Sequence, residues 1–429
     1  MDEEERRDNG ALLFLRQFCG MADGANAMVL SYDEAAAVVR AATEQVRERR
    51  PVERVPLLAA SGRVLAEAVR ADRDQPPFPR STRDGFACRA EDLALGPLRV
   101  VGQLRAGEGW AGGAIAPGEA VEIMTGAPVP AGADCVVMVE HVANSAGHVT
   151  LTGPHEIFPG ENIVPAGAEA RAGDVVIPAG RRLGITEIGA AASCGAAEVG
   201  VFARPRVAIL ATGDELVEVN ETPLAHQIRN SNRYSLAAQV TEAGGVAEMF
   251  PIVPDEPVAT ERAIAEAQRC DLVLLTGGVS MGKFDFVEQA LLALGAEFFF
   301  TGARIQPGKP VVFGKLPEVY FLGLPGNPIS TMVTFALFAA PIVRTLAGET
   351  DVDPRFVLAR VEEEVRVKAG LTRFLPARME SDVRGARVRR IAWQGSGDLA
   401  AAAQANGFLV TPETADGLAA GEIAAVLVL

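Results

Sequence analysis

Three short polar turns carry the residue types that could do chemistry, and each follows an apolar run. They are Thr212-Gly213-Asp214-Glu215, Thr276-Gly277-Gly278-Val279-Ser280-Met281-Gly282 and Leu324-Pro325-Gly326-Asn327-Pro328-Ile329-Ser330. A glycine pair after a strand lets backbone N–H groups approach a phosphate or a flat heterocycle, and the next helix offers its N-terminus to the same guest. Taken singly, such glycines merely close a strand-to-helix turn; three on one sheet edge suggest a site. Asp214, Glu215, Asp255 and Asp285 fall in these turns or at the following helix starts. Converging carboxylates suit Mg²⁺, a hard cation that bridges substrate phosphates. For Asp255 and Asp285 the alternative is helix capping.

A lysine, Lys309, stands in the rigid run Ile305-Gln306-Pro307-Gly308-Lys309-Pro310, where it is a point charge suited to an oxyanion. Farther off, Asp84 lies in the dense turn Arg80-Ser81-Thr82-Arg83-Asp84-Gly85, and Thr125 in Met124-Thr125-Gly126-Ala127-Pro128. Near the C-terminus Arg373, and Ser396 in Gln394-Gly395-Ser396-Gly397, offer a cation and a small donor. Each of these alone reads as a turn or surface feature.

The elements that must position these residues follow from periodicity. From Arg206 the chain alternates apolar runs (RVAILATG, VAEMFPIV, DLVLLTGG, VYFLGLPG) with helical stretches (NRYSLAAQVTEAG, DEPVATERAIAEAQRC, FDFVEQALLALG and residues 327–348). That alternation predicts a three-layer α/β domain with a mostly parallel sheet, whose ligands sit at the carboxyl ends of the strands. Residues 56–165 read as a β-rich module of short Val/Ala/Ile runs between Gly/Pro turns. Residues 351–429 read as a small β-barrel or sandwich, with the barrel preferred. Residues 29–55 and 166–204 are expected to form a helical/β linker domain, with helices over 31–49 and over the small-residue segment 185–202. Ser31 and Glu34 have capping-box spacing, and residues 1–28 are an N-terminal extension.

Composition excludes several classes. The formal net charge of −15 is the wrong sign for non-specific nucleic-acid binding. Five cysteines without a CxxC pair and four scattered histidines support neither a disulfide framework nor a zinc site. The acidic start MDEEERRDNG is not a secretory n-region, and the longest apolar stretch, Ile329 to Val343, is shorter than the ~20 residues a bilayer span needs. The expectation is a cytoplasmic protein without membrane or nucleic-acid partners.

As a set, RDGFA (83–87), IMTGAPVP (123–130), TGDEL (212–216), SNRYSL (231–236), TGGVSMGKFDF (276–286), PGKP (307–310) and GLPGNPIS (323–330) resemble, in order and spacing, the MoeA family and its gephyrin E-domain relative. The resemblance covers roughly residues 29 to 429. It implies an α/β, MogA-like domain at 205–350 that binds pterin and nucleotide in a homodimer. It further implies a Mg²⁺-dependent transfer of molybdate into adenylylated molybdopterin with release of AMP, and possible partners in a MogA-like protein and apo-molybdoenzymes. Carried over by position, the catalytic residues are Asp84, Thr125, Asp255, Asp285 and Lys309, and the metal ligands Asp214, Glu215 and Asp285. Pterin, nucleotide and molybdate would be held by Thr212, Gly213, Asn232, Gly277, Gly278, Ser280, Pro325, Pro328, Ser330, Arg373 and Ser396. Three departures from the family pattern stand out: Gln306 for a second lysine, Glu169 for an aspartate, and Arg80 with Arg83 for neutral or acidic residues. A molybdopterin adenylyltransferase and a non-catalytic gephyrin-like scaffold are the competing readings; AMP released on molybdate addition separates the first from the transferase.

Overall fold

The computed structural model describes residues 28–44, 50–278 and 286–429. The α/β domain is built on β1 (Arg206–Ala211), β2 (Val246–Met249), β3 (Leu272–Thr276), β4 (Glu297–Phe300), β5 (Val312–Lys315) and β6 (Tyr320–Leu324), in the order β2-β1-β3-β6-β5-β4. The first four strands of that order are parallel, with Val207 opposite Leu272 and Leu272 opposite Tyr320. At the other edge β5 runs antiparallel to both β6 and β4. That hairpin-like edge was not legible from the strand–helix alternation, because Glu297–Phe300 and Val312–Lys315 lack a helix between them.

The continuous apolar runs are explained by burial on both faces. Val207, Ile209, Leu272, Leu274 and Leu322 point into one core with α1 (Ser231–Glu242) and α4 (Pro328–Ala347). Ala208, Leu210, Val273, Leu275 and Phe321, the alternate positions, point into the other with α2 (Pro257–Ala267) and α3 (Phe286–Ala293). Among the described residues α4 is the one helix long and apolar enough to cross a membrane, yet 83% of its most apolar window is buried inside the protein. It is a core helix, as expected for residues 329–343. Its middle, Phe335–Ala339, winds as a π-helix just ahead of Pro341, which has no N–H to give to a regular turn.

The first helix, Tyr32–Glu44, is capped as its sequence predicts: Ser31 N–H donates to Glu34 Oε2 at 2.7 Å, and Glu34 N–H to Ser31 Oγ at 3.2 Å. Its buried face (Ala35, Val38, Val39, Ala42) joins the α4 core, and Tyr320 Oη donates to Ala42 O at 2.6 Å. Residues 29–55 are thereby divided. The helix belongs to the α/β core, whereas Val52–Pro56 pairs antiparallel with Glu198–Phe202. The segment 185–202 is helical only to Ser193. Gly195, at φ 75°, ends the helix, and Val199 and Val201 then bury their side chains as a strand.

Residues 85–151 form a six-stranded sheet with one small core on each face. The C-terminal domain is a closed barrel. Thr372–Asp382 pairs with both Gly385–Arg390 and Gly407–Thr411, and the circuit runs on through Phe356–Val361 and Ile423–Val428. Ile305–Gln306, from the α/β domain, adds to it in parallel beside Thr372–Arg373. Phe374, Phe408 and Leu427 of the barrel complete the α4 core. The two domains therefore share apolar packing, and the loop carrying Lys309 is stitched to both.

Candidate functional site

The carboxyl ends of β1, β3 and β6 meet in a hydrogen-bonded rim. Thr212 N–H donates to Thr276 O at 3.1 Å. The Asn232 carboxamide, at the start of α1, donates from Nδ2 to Thr276 Oγ1 (3.0 Å) and to Gly326 O (2.7 Å), tying two turns together. Pro325 O accepts in turn from Thr331 Oγ1 at 2.5 Å and Thr276 Oγ1 at 3.4 Å. The glycines are required by contact. Gly277 has φ 89°, and a Cβ there would lie 2.5 Å from Thr212 O; Gly278 has φ 60°, and a Cβ there would lie 2.9 Å from Thr212 Oγ1. Thr212, Gly213, Asn232, Gly277, Gly278, Pro325 and Pro328 thus gather on one edge.

Two atoms of that edge are buried without a partner among the described residues, Thr212 Oγ1 and Asn232 Oδ1. Buried polar atoms are normally satisfied, so orphans at a strand edge are what a polar guest would meet. Asn230 and Arg233 were not singled out by sequence, although both lie in or beside SNRYSL. Asn230 caps α1 by accepting from Arg233 N–H at 3.2 Å, and the buried Arg233 donates to Phe250 O and to Glu218 Oε2, each at 2.8 Å. They hold the 216–230 loop beneath the rim.

Asp214, Glu215 and Asp255 are exposed along the same edge. Asp214 Oδ1 accepts from Asp255 N–H at 3.2 Å, and the Glu215 carboxylate folds back over Gly213. The capping alternative for Asp255 does not hold: the cap position of α2 is Glu256, and no side chain caps it. Among the described residues no three metal-ligating side chains cluster. Asp285 and Ser280 lie outside the described residues. The donor chemistry still suits a hard cation, because Mg²⁺ commonly takes one or two carboxylates and completes its shell with water and substrate phosphates.

A second cluster surrounds the N-terminus of α4. Pro328 is its first residue, and Ile329 N–H donates to Ser396 O at 2.9 Å, so a loop of the barrel caps the helix. Gly308, at φ 111°, packs against the same turn; a Cβ there would lie 2.5 Å from Thr334 Cγ2 and 3.6 Å from Ser330 O. Ser330 is buried and Lys309 exposed, with Lys309 O accepting from Ala303 N–H at 3.0 Å. Arg373 donates from Nε to Gln306 Oε1 (2.8 Å) and from Nη1 to Leu371 O (3.3 Å). Ser330 in the first turn of α4, the Ser396 carbonyl and Gly308 beside Lys309 thus lie at a helix N-terminus, where the helix field favours an anion, and Arg373 is tied to the same loop through Gln306.

Asp84 and Thr125 form a separate pair on the β-rich module. Asp84 Oδ1 accepts from both the backbone N–H and the hydroxyl of Thr125, each at 2.7 Å. The backbone donor first, then the hydroxyl, holds the Asp84 carboxyl below the usual range. Two of the sequence departures meet each other: Arg80 Nη2 donates to Glu169 Oε1 at 2.7 Å, so the unusual charges compensate locally.

Known proteins resemble this chain over most of its length. Residues 30–195 match the model of the MoeA N-terminal region (domain I and II), 208–345 a probable molybdopterin binding domain, and 359–429 the MoeA C-terminal region (domain IV). A Nostoc sp. protein named molybdopterin molybdenumtransferase is 39% identical over 72% of this chain and 73% of its own. One of the same name from Haemophilus influenzae is 34% identical over 88% and 94%. The crystal structure of the molybdopterin biosynthesis MoeA protein from Pyrococcus horikoshii OT3 superimposes with a TM-score of 0.78 at 28% identity, covering 94% of this chain and all of that one.

Proposed function

The chain belongs to the MoeA family, and on that premise we propose that it is a molybdopterin molybdenumtransferase, which inserts molybdate into adenylylated molybdopterin and releases AMP. The observation that carries the reading is the Leu324–Ser330 loop. One end of it is bound to Asn232 and Thr276 at the nucleotide-type rim, and the other opens the helix whose first turn carries Ser330, donates to the Ser396 carbonyl and packs against Gly308, next to Lys309. A pterin nucleotide along the rim would therefore have its dithiolene beside an oxyanion seat.

In this proposal Thr212, Gly213, Gly277, Gly278 and Asn232 hold the pterin nucleotide through backbone and carboxamide groups. Lys309 and Arg373 neutralise molybdate, and Ser330 and Ser396 orient it. The dithiolene is the soft ligand that takes the molybdenum, so the protein need only hold the oxyanion in register with it. Asp214 and Glu215, with Asp285, would hold Mg²⁺, which when bound neutralises charge on the pyrophosphate as AMP departs. Asp255 completes the acidic rim.

The Asp84–Thr125 pair lies on the β-rich module, which in a homodimer would close the cleft of the other subunit. Soluble cytoplasmic operation fits, with delivery from a MogA-like protein and onward transfer to apo-molybdoenzymes. The test is AMP release by purified protein given adenylylated molybdopterin and Mg²⁺, with and without molybdate. Release that requires molybdate, and that falls in Lys309→Ala, is expected. ATP consumption with free molybdopterin, or AMP release indifferent to molybdate, would overturn it.

A further inference from the structure

Position 306 bears on how the oxyanion seat works in this particular chain. Gln306 stands in direct parallel register with Arg373, so the two side chains leave adjacent strands side by side. The Gln306 amide oxygen accepts from Arg373 Nε at 2.8 Å, and Leu371 O takes a hydrogen of Nη1 at 3.3 Å. A guanidinium has five N–H donors in a fixed plane. With Nε and one Nη1 hydrogen occupied by neutral acceptors, the plane is fixed, and among the described residues three donors remain and no carboxylate pairs with the charge.

We infer that Gln306 is a positioning residue that orients the Arg373 guanidinium for two-point binding of a tetrahedral oxodianion. This rests on the oxyanion-seat reading of the previous subsection and deepens it. A lysine at 306 would supply a second point charge, but it has no acceptor, and its ammonium would repel the guanidinium beside it. The amide gives up that charge and supplies geometry, because an anchored guanidinium meets two oxygens of one anion in parallel. Lys309, on the far side of the Pro307-Gly308 turn, supplies the point charge of the seat and has no ion-pair partner among the described residues. The selectivity expected is for large tetrahedral dianions, molybdate or tungstate, held by two oxygens.

The test uses the full-length protein and a double-mutant cycle between Gln306→Met, which keeps length but removes the acceptor, and Arg373→Ala. The readouts are the KM for molybdate in the AMP-release assay and equilibrium dialysis against molybdate alone. In the wild-type background Gln306→Met should raise the molybdate KM and dissociation constant about 3- to 10-fold, the loss of one partly exposed charge-assisted hydrogen bond. The KM for the adenylylated pterin should stay unchanged and kcat should fall less than KM rises. In the Arg373→Ala background the same substitution should add nothing, since its effect runs through the guanidinium. Gln306→Glu keeps the acceptor but cancels the charge, so it should weaken molybdate binding more at low salt than at high salt. An unchanged KM in Gln306→Met, or an equal penalty with and without Arg373, overturns the inference while leaving the seat intact. If Arg373→Ala itself leaves molybdate binding unaltered, the seat reading falls first.

Discussion

Replacing Asn232 tests whether the rim is one mechanical unit. Its Nδ2 donates two hydrogen bonds, at 3.0 Å to Thr276 Oγ1 and 2.7 Å to Gly326 O, from a side chain that is 9% exposed. At about 0.5–1.5 kcal/mol net per bond, Asn232→Ala should cost about 1–3 kcal/mol. Asn232→Asp is nearly isosteric but has only acceptors when ionised, and it would face the Gly326 carbonyl with a buried charge. Its cost should rise to about 3–5 kcal/mol, in the range for an uncompensated buried charge. The protonated acid can donate again, so the folded pKa of that Asp would be raised. A raised folded pKa means the deficit is smallest below the unfolded value of about 3.9 and grows as pH rises through the folded one. Chemical denaturation followed by circular dichroism, from neutral pH down to about pH 5, reads both effects, and AMP release reads the consequence for turnover. An Asn232→Asp protein as stable as Asn232→Ala at neutral pH, with no pH-dependent recovery, would show that the turns are not joined through this amide.

Other expectations are more local. Gly308→Ala forces a Cβ into Thr334 at φ 111° and should cost about 2–4 kcal/mol and lower molybdate affinity, whereas the exposed Gly107→Ala serves as a control for positive φ without a contact. Lys309→Ala should raise the molybdate KM without changing the melting temperature, because the side chain is exposed; a large melting shift would argue for a structural role instead. The Asp84 carboxyl titrates below its ordinary range, so its contribution to holding Thr125 is present above about pH 4 and is lost as pH falls through the lowered folded value. Carboxyl NMR titration should find that low value in wild type and a normal one when both Thr125 donors are lost in Thr125→Pro; an ordinary wild-type value would contradict the pairing.

The departures from the family pattern change meaning once partners are visible. Arg80 and Glu169 are 89 residues apart in sequence and form one ion pair, so neither is an isolated oddity. Gln306, which by sequence alone removes a charge, is also the acceptor that holds Arg373. The four histidines look scattered, yet His141 and His155 stack with ring centroids 3.9 Å apart, and Cys88 and Cys135 face each other across paired strands at 3.7 Å between sulfurs. The cysteines meet through strand register and the histidines through packing of a turn on a loop, neither of which a local pattern encodes.

The sequence by itself determined the α/β domain, the β-rich module and a small C-terminal β domain, and it marked the rim turns, because those depend on local periodicity and on glycines that only certain turns require; closure of the last domain into a barrel came from long-range strand pairing. It also identified the Ser31–Glu34 capping box, a contact three residues apart. It did not reveal the β4–β5 edge, the strand at 198–202, or the transfer of the Tyr32–Glu44 helix to the α/β core. Each of those was decided by which apolar face found a partner elsewhere in the chain. The surroundings of the first turn of α4 likewise exist only in three dimensions. Lys309, Ser330, Arg373 and Ser396 span 88 positions of sequence. The Lys309 loop reaches Arg373, and Ser396 reaches the turn that carries Ser330, because Ile305–Gln306 pairs with the barrel and a barrel loop caps α4, long-range hydrogen bonds that residue type alone does not specify.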